Sequence, residues 1–463
     1  MGVMRSRFVK KAHKRTLKNW FIQSYHAATD TPVYRRSGPG LLHLPVFLLI
    51  DNIIIRLLEL VIRVSSLWNP KAAQWLKGRR NIMRTVRQAM QSNTRKVIWL
   101  HSASLGEFEQ GRFLIESFNR RFPGYCIVVT FFSPSGYEVM KNYKGADFVF
   151  YLPLPTSSNA RRFVQYINPS LVFWIKYDYW YHYLYELKKR NVPVLLISAI
   201  FQRNHAFFRW YGPLYRKMLL FFTWMFVQDP GSEKRLKQLG HKNTSVSGDT
   251  RFDRVIDIAE NFQPVPLIDE FIGDNPVVVA GSTWPEDEEE LDHYANTHTD
   301  IRFIIAPHEI SEDHIKDIEK LFHYSVRYSR LSKDANLASG KNTLIIDNIG
   351  MLSRLYSYAT ITYVGGGFGE DGVHNVLEAA VYGKPVIFGP VFNQFQEAID
   401  LLEEGAAFTV DNALDLEKIL NTLLSNEVMY RECEEAAREY VLRKKGATER
   451  ILNYIQENRL LIS

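Results

Sequence analysis

Val97-Ile98-Trp99-Leu100-His101-Ser102-Ala103-Ser104-Leu105-Gly106-Glu107 is the stretch on which the fold turns. Four apolar residues in a row, Val97 to Leu100, read as a strand buried on both faces. Phe108 to Ile115 then fit a helix. Glu107 therefore stands where a parallel strand becomes a helix, at the edge of an open α/β sheet where ligands bind. A carboxylate there is a candidate general base. Ser104 and Glu107 also have capping-box spacing, in which the acid at the third helical position returns to the cap N–H. Spacing alone allows either role, and Ser135 with Glu138 shows the same pattern after the next strand.

The alternation continues along the chain. Strands are expected at 97–100, 125–132, 171–175, 193–198 and 222–227, with helices at 107–121, 135–142, 179–190 and 231–239 between them. Around 260–275 the pattern breaks at Pro264 and Pro266, which reads as a linker. A second series has strands at 276–280, 301–305, 343–346, 360–364 and 385–388. Its helices fall near 285–297, 311–322, 349–357 and 374–382, and a helical tail covers 414–425, 427–442 and 446–459. This βαβα order predicts an α/β protein with two Rossmann-like domains facing a cleft, at 97–262 and 275–463.

The N-terminal end is different. The net charge of +7 divides into +16 over the first 96 residues and −9 over the remainder. Residues 1–40 form a basic extension, and 41–96 combine an apolar stretch with a second basic segment. From Leu41 to Trp68 the sequence is largely apolar, but Asn52, Arg56, Glu59 and Arg63 fall on one helical face. That stripe argues against a free-standing span and for an amphipathic helix lying in a membrane interface beside basic neighbours. The alternative is a helix docked on its own domain. Nucleic acid is not an expected partner, because the basic excess is terminal and borders the apolar helix. Cys126 and Cys433 have neither disulfide nor metal spacing, which indicates a reducing compartment.

Further segments carry candidate chemistry. Gly365-Gly366-Gly367-Phe368-Gly369-Glu370-Asp371-Gly372-Val373-His374-Asn375 follows a strand and precedes a helix, so backbone N–H groups there could approach a phosphate; a plain turn is the other reading. It is neither a Walker loop nor a dinucleotide fingerprint. Gly281-Ser282-Thr283-Trp284-Pro285 offers hydroxyls to a phosphate or to a helix cap. His308, in Ala306-Pro307-His308-Glu309, could contact a nucleotide or be an ordinary loop histidine. The aromatic run Trp174 to Tyr185 is either core or an acceptor groove. No His/Cys/Asp cluster has metal-ligand spacing.

Taken in order, these segments resemble the Kdo transferases, membrane-associated GT-B glycosyltransferases that move 3-deoxy-D-manno-octulosonic acid from CMP-Kdo to the lipid A precursor lipid IVA. The resemblance spans about residue 41 to the end. His101 to Glu107 is similar to the family signature ending in the proposed general base, and Thr130 to Gly136 to its second loop. Ser247-Gly248-Asp249-Thr250-Arg251-Phe252-Asp253 resembles the end of its N-terminal domain. Gly281-Ser282-Thr283 and Gly372 to Glu378 resemble its CMP-binding loops, and Gly389-Pro390 with Phe392, Asn393 and Phe395 its closing segment. The resemblance implies Glu107 as base. It implies Ser282, Thr283, His308, Gly366, Gly367, His374, Asn375 and Glu378 as donor contacts. Ser104, Asp178 and Arg251 would be acceptor contacts or a second carboxylate. It further implies transfer without cofactor or metal, in lipopolysaccharide core synthesis at the cytoplasmic face of the inner membrane. Two family arginines are absent, with Arg203 or Arg251 as substitutes, and Lys176 reverses a charge where the family carries Glu-Thr-Glu. The alternative is another GT-B transferase using a UDP-sugar and a lipid-linked acceptor.

Overall fold

The structure is a computed structural model that describes residues 43–461. It divides into two compact units. The first runs up to Thr250 and takes back the chain from Thr448; the second is Arg251–Ala447. The basic extension 1–40 lies outside the described residues.

The first unit has seven strands: β1 Val97–Ser102, β2 Cys126–Phe131, β3 Phe148–Tyr151, β4 Pro169–Ile175, β5 Val194–Ala199, β6 Trp224–Val227 and β7 Thr244–Val246. They form one parallel sheet in the order β3-β2-β1-β4-β5-β6-β7. Trp99, Val128, Trp174 and Leu196 pack on one face, and Leu100, Val129, Phe173 and Leu195 on the other. A parallel sheet covered on both sides needs such continuous apolar strands. The order reverses between β1 and β4, and loops leaving such a switch point frame the ligand crevice of doubly wound sheets.

The second unit repeats the plan with β8 Val277–Thr283, β9 Arg302–Pro307, β10 Ser325–Arg327, β11 Thr343–Ile345, β12 Ile361–Val364, β13 Val386–Phe388 and β14 Ala407–Thr409. Their order is β10-β11-β9-β8-β12-β13-β14, all parallel. Its switch point lies between β8 and β12.

Both expected domain edges move. The first domain was expected to run to 262, but Phe252, Val255 and Ile256 of the helix Thr250–Glu260 are buried in the second unit's core. The expected linker is packed as well, since Val265 is buried and its N–H donates to the Tyr358 hydroxyl at 2.8 Å. At the other end, the helix Ala447–Glu457 leaves the second unit. Ile451, Leu452 and Ile455 enter the core of the first, and Tyr454 packs on Trp224 with ring centroids 4.8 Å apart. Arg121 fastens the same helix through Glu449, Asn453 and Gln456.

The apolar N-terminal stretch is the helix His43–Ser65. Ile55 and Ile62 bury against Trp75, and Asn52 Oδ1 bonds His182 Nε2 at 2.9 Å. Glu59 holds both Arg56 and Arg63. Val46, Ile50, Ile53, Leu57, Leu60 and Val64 remain exposed at helical spacing, followed by Leu67 and Trp68. So the helix has a docked apolar face as well as an exposed one. Among the described residues, no helix is long and apolar enough to cross a membrane.

Because Ile455 is fully buried in the first unit, Ile455→Ala is expected to cost about 2–5 kcal/mol. Urea unfolding followed by tryptophan fluorescence, to which Trp224 under Tyr454 contributes, checks this.

Candidate active site

In the first unit the loops after β1 and β4 converge. β1 ends in His101 and Ser102, and the helix Leu105–Arg121 starts three residues beyond it. Glu107 is half-buried in its first turn and accepts the Ala103 N–H at 2.7 Å. Ser104, the cap residue, makes no side-chain capping bond. The expected capping box is therefore altered: Glu107 reaches past the cap residue to the N–H of Ala103, and the Ser104 side chain gives nothing in return. The Ser135–Glu138 box does not form either: Ser133 caps that helix, and Glu138 bonds Tyr151 and Lys141.

His101 is fully buried, with its ring 4.5 Å from that of Trp174. Its Nδ1 lies 2.9 Å from Thr130 Oγ1 and its Nε2 3.3 Å from Asp178 Oδ2. Asp178 also accepts the Trp180 indole N–H at 3.2 Å, while its main-chain oxygen accepts that of Trp174. The tie to a carboxylate orients the histidine and places a proton on Nε2. Two residues before Asp178, Lys176 has φ +50°, a left-handed conformation uncommon for a lysine. Burial, and then the Asp178 carboxylate, push the Glu107 pKa up to about 8, against the pull of the Ala103 and Ser104 N–H groups and Lys176. A carboxyl with that affinity, near the working pH, suits proton abstraction.

His101 and Thr130 open two separate motifs that give neither of them a role; here His101, held by Thr130, supports Asp178. Arg79 also departs from expectation. Its basic segment reads as lipid-facing, yet its guanidinium lies 3.7 Å over the Trp75 ring and donates to the carbonyls of Leu152 and Phe132 at 2.9 and 2.6 Å. Arg203 is exposed in the loop after β5.

In the second unit the segments after β8, β9, β12 and β13 meet. Gly365, Gly366 and Gly367 allow backbones to pass closely. A Cβ on Gly367 would lie 2.5 Å from Gly389 N, and one on Gly365 2.5 Å from Ser282 O. Hydrogen bonds from Gly365 N to Gly281 O, Val391 N to Gly367 O and His374 N to Gly365 O order the segment. It is a built loop and not a loose turn.

Several expected donor contacts are already engaged. The Gly366 N–H donates to Asp287 Oδ2 at 2.8 Å, so it does not point at a phosphate. Asp287, fully buried, also accepts the Trp284 N–H and the Tyr363 hydroxyl. Burial raises its pKa, opposed by these three donors. The buried Thr283 hydroxyl donates to Glu288, which holds His314 at 2.9 Å. Asn375 accepts the Leu377 N–H and donates to Glu378, whose pKa is raised by burial and lowered by Arg254. The expected helix at 374–382 is only Leu377–Ala380, too short to supply a useful dipole. Arg251, expected among the acceptor contacts of the first unit, belongs to the second, where it is paired with Glu397 at 2.8 Å. Trp284, His308 and His374 bring three near-parallel rings together. Neither Trp284 nor Asp287 is singled out by sequence, although Asp287 sits three residues after a cap position, which is its only signal.

Comparison with known proteins places these features. Residues 77–254 match the family described as 3-deoxy-D-manno-octulosonic-acid transferase (kdotransferase). The 3-deoxy-D-manno-octulosonic acid transferase of Haemophilus influenzae is 25% identical over 78% of this chain and 86% of its own. That of Chlamydia trachomatis serovar A is 29% identical, over 72% and 78%, and that of Aquifex aeolicus 27%, over 72% and 87%. Among solved structures, the UDP-GlcNAc 2-epimerase of Neisseria meningitidis bound to UDP-GlcNAc aligns with TM-score 0.55 and 16% identity, over 78% of this chain and all (100%) of that one. A putative UDP-N-acetylglucosamine 2-epimerase from Listeria monocytogenes gives 0.54 and 14%, over 79% and 97%. These structures share the two-sheet, GT-B-like fold.

Asp287→Ala would strand two backbone N–H groups and the Tyr363 hydroxyl, and is expected to destabilise the second unit by about 3 kcal/mol or more. Tyr363→Phe, which removes one donor, should cost only about 1 kcal/mol. Chemical denaturation of both variants tests the ranking.

Proposed function

We infer that this chain, a member of the 3-deoxy-D-manno-octulosonic-acid transferase family, is a glycosyltransferase that moves Kdo from CMP-Kdo to a sugar hydroxyl of a lipid A precursor such as lipid IVA. Glu107 carries the reading. Within the matched residues, a half-buried carboxylate is aimed by a backbone N–H, and its proton affinity is raised by burial and by Asp178.

The acceptor oxygen attacks the anomeric carbon of Kdo while its proton passes to Glu107. The bond from that carbon to the donor phosphate oxygen breaks, and CMP leaves with the electron pair. We assign Asp178 the part of second carboxylate and Ser104 a place on the acceptor side. The donor is assigned to the second unit, through Ser282, His308, His374, Asn375 and Glu378. Gly365 and Gly367 serve there by letting the backbone approach closely. No step in this reading uses a metal.

We place the enzyme on the cytoplasmic face of the inner membrane. The exposed stripe Val46, Ile50, Ile53, Leu57, Leu60 and Val64 supports a helix lying in the lipid interface. Basic residues between 69 and 96, Arg79 excepted, would meet lipid phosphates.

Glu107→Gln should retain the fold, because Gln serves the same helix position. It should lower transfer from labelled CMP-Kdo by about 100-fold or more; retained transfer would reduce Glu107 to a cap. The base must be unprotonated, so wild-type kcat/KM should climb with pH up to about 8. Asp178→Asn removes a neighbouring negative charge, lowers the Glu107 pKa and should move that climb to lower pH.

Replacing both Leu49 and Leu57 by Glu, at exposed positions, should abolish co-sedimentation with phosphatidylglycerol vesicles and leave the melting temperature nearly unchanged.

A further inference from the structure

We propose that Trp284 is a positioning residue that fixes the proton of His374 on Nδ1, so that this imidazole offers an N–H to the donor's phosphate. The proposal rests on the assignment of the nucleotide donor to the second unit. An indole N–H can only donate. Trp284 Nε1 lies 3.0 Å from His374 Nε2, so Nε2 is the acceptor and carries no proton. The ring proton then belongs on Nδ1, because the bond made by one imidazole nitrogen sets the state of the other. A free imidazole has no such constraint, and its other tautomer would turn a lone pair toward an anion.

The arrangement is held on every side. The Trp284 and His374 rings lie 14° from coplanar with centroids 6.5 Å apart, as an in-plane hydrogen bond requires. His308 stacks on both, at 4.7 Å from Trp284 and 4.5 Å from His374. The Trp284 main-chain N–H is fixed by Asp287 and that of His374 by Gly365 O. Gly366 leaves room for the ring: a Cβ there would come 2.8 Å from His374 Cδ2 and 3.2 Å from Nε2. Two residues before Trp284, Ser282 has φ +54°, a strained conformation that helps set the direction of the chain into the indole.

The test uses the full chain labelled with 15N-histidine, the His374 signals being identified by their loss in His374→Gln. Long-range 1H–15N spectra of the wild type should show a pyridine-type Nε2 and a pyrrole-type Nδ1. Trp284→Phe keeps a ring in the stack and removes only the N–H donor. It should release the tautomer bias and weaken CMP binding about tenfold, with cytidine, which lacks the phosphate, changed less than about twofold. A pyrrole-type Nε2 in the wild type overturns the proposal. So does a Trp284→Phe protein whose spectrum or CMP affinity is unchanged, and so does an equal loss for cytidine. Wild type that binds no CMP would refute the donor assignment, and the nitrogen spectra would still decide whether Trp284 sets the tautomer.

Discussion

A parallel strand covered on both faces disfavours an unpaired polar side chain. In both sheets the interior positions are mostly apolar, and most residues able to do chemistry lie at the C-terminal strand ends and the loops beyond. Several polar groups that remain inside are tied down: His101 to Thr130 and Asp178, Thr283 to Glu288, Asp287 to three donors. Each tie is also a way of aiming a loop. Asp178 is held by a buried histidine and an indole, so the charge facing Glu107 has a fixed position and its effect on that carboxyl is built in.

The strand ends also store strain. Lys176, Ser198 and Ser282 all have positive φ, at the ends of β4, β5 and β8, and the register slips within β5 and β8. Non-glycine residues hold such conformations only where their surroundings enforce them. Ser198 is locked by Thr250, and Ser282 is bounded by the close passage of Gly365. These are the turns from which Asp178 and Trp284 are presented.

Much of this could be read from the chain. The run Val97 to Leu100 announces a doubly covered strand, and Glu107 falls where the helix must begin. The glycines at 365–367 mark a close approach. What they approach was not legible: spacing suggests a phosphate, whereas packing of the loop against Ser282 and Gly389 accounts for two of them. The three-residue strands β7, β10 and β14 include Thr, Ser or Arg and form no apolar run, unlike the equally short β11 and β13. Pro264 and Pro266 break the pattern and so imitate a linker, though Val265 between them is core. Arg251 lies within a recognisable motif, yet its partner Glu397 is far along the chain, and no local signal reveals such a pairing. The burial of Arg79 among aromatic rings was hidden for the same reason.

The return of Ala447–Glu457 to the first unit bears on how the protein is made. A ribosome completes β1 to β7 early, but Ile451, Leu452 and Ile455 arrive only after the whole of the second unit has been synthesised. Until then the surface around Phe226 and Trp224 lacks its cover, and a nascent chain with such a surface is prone to wrong associations. The helix Ala447–Glu457 completes that core: a chain interrupted before it would carry every residue of both candidate sites and still leave the first unit's core unfinished.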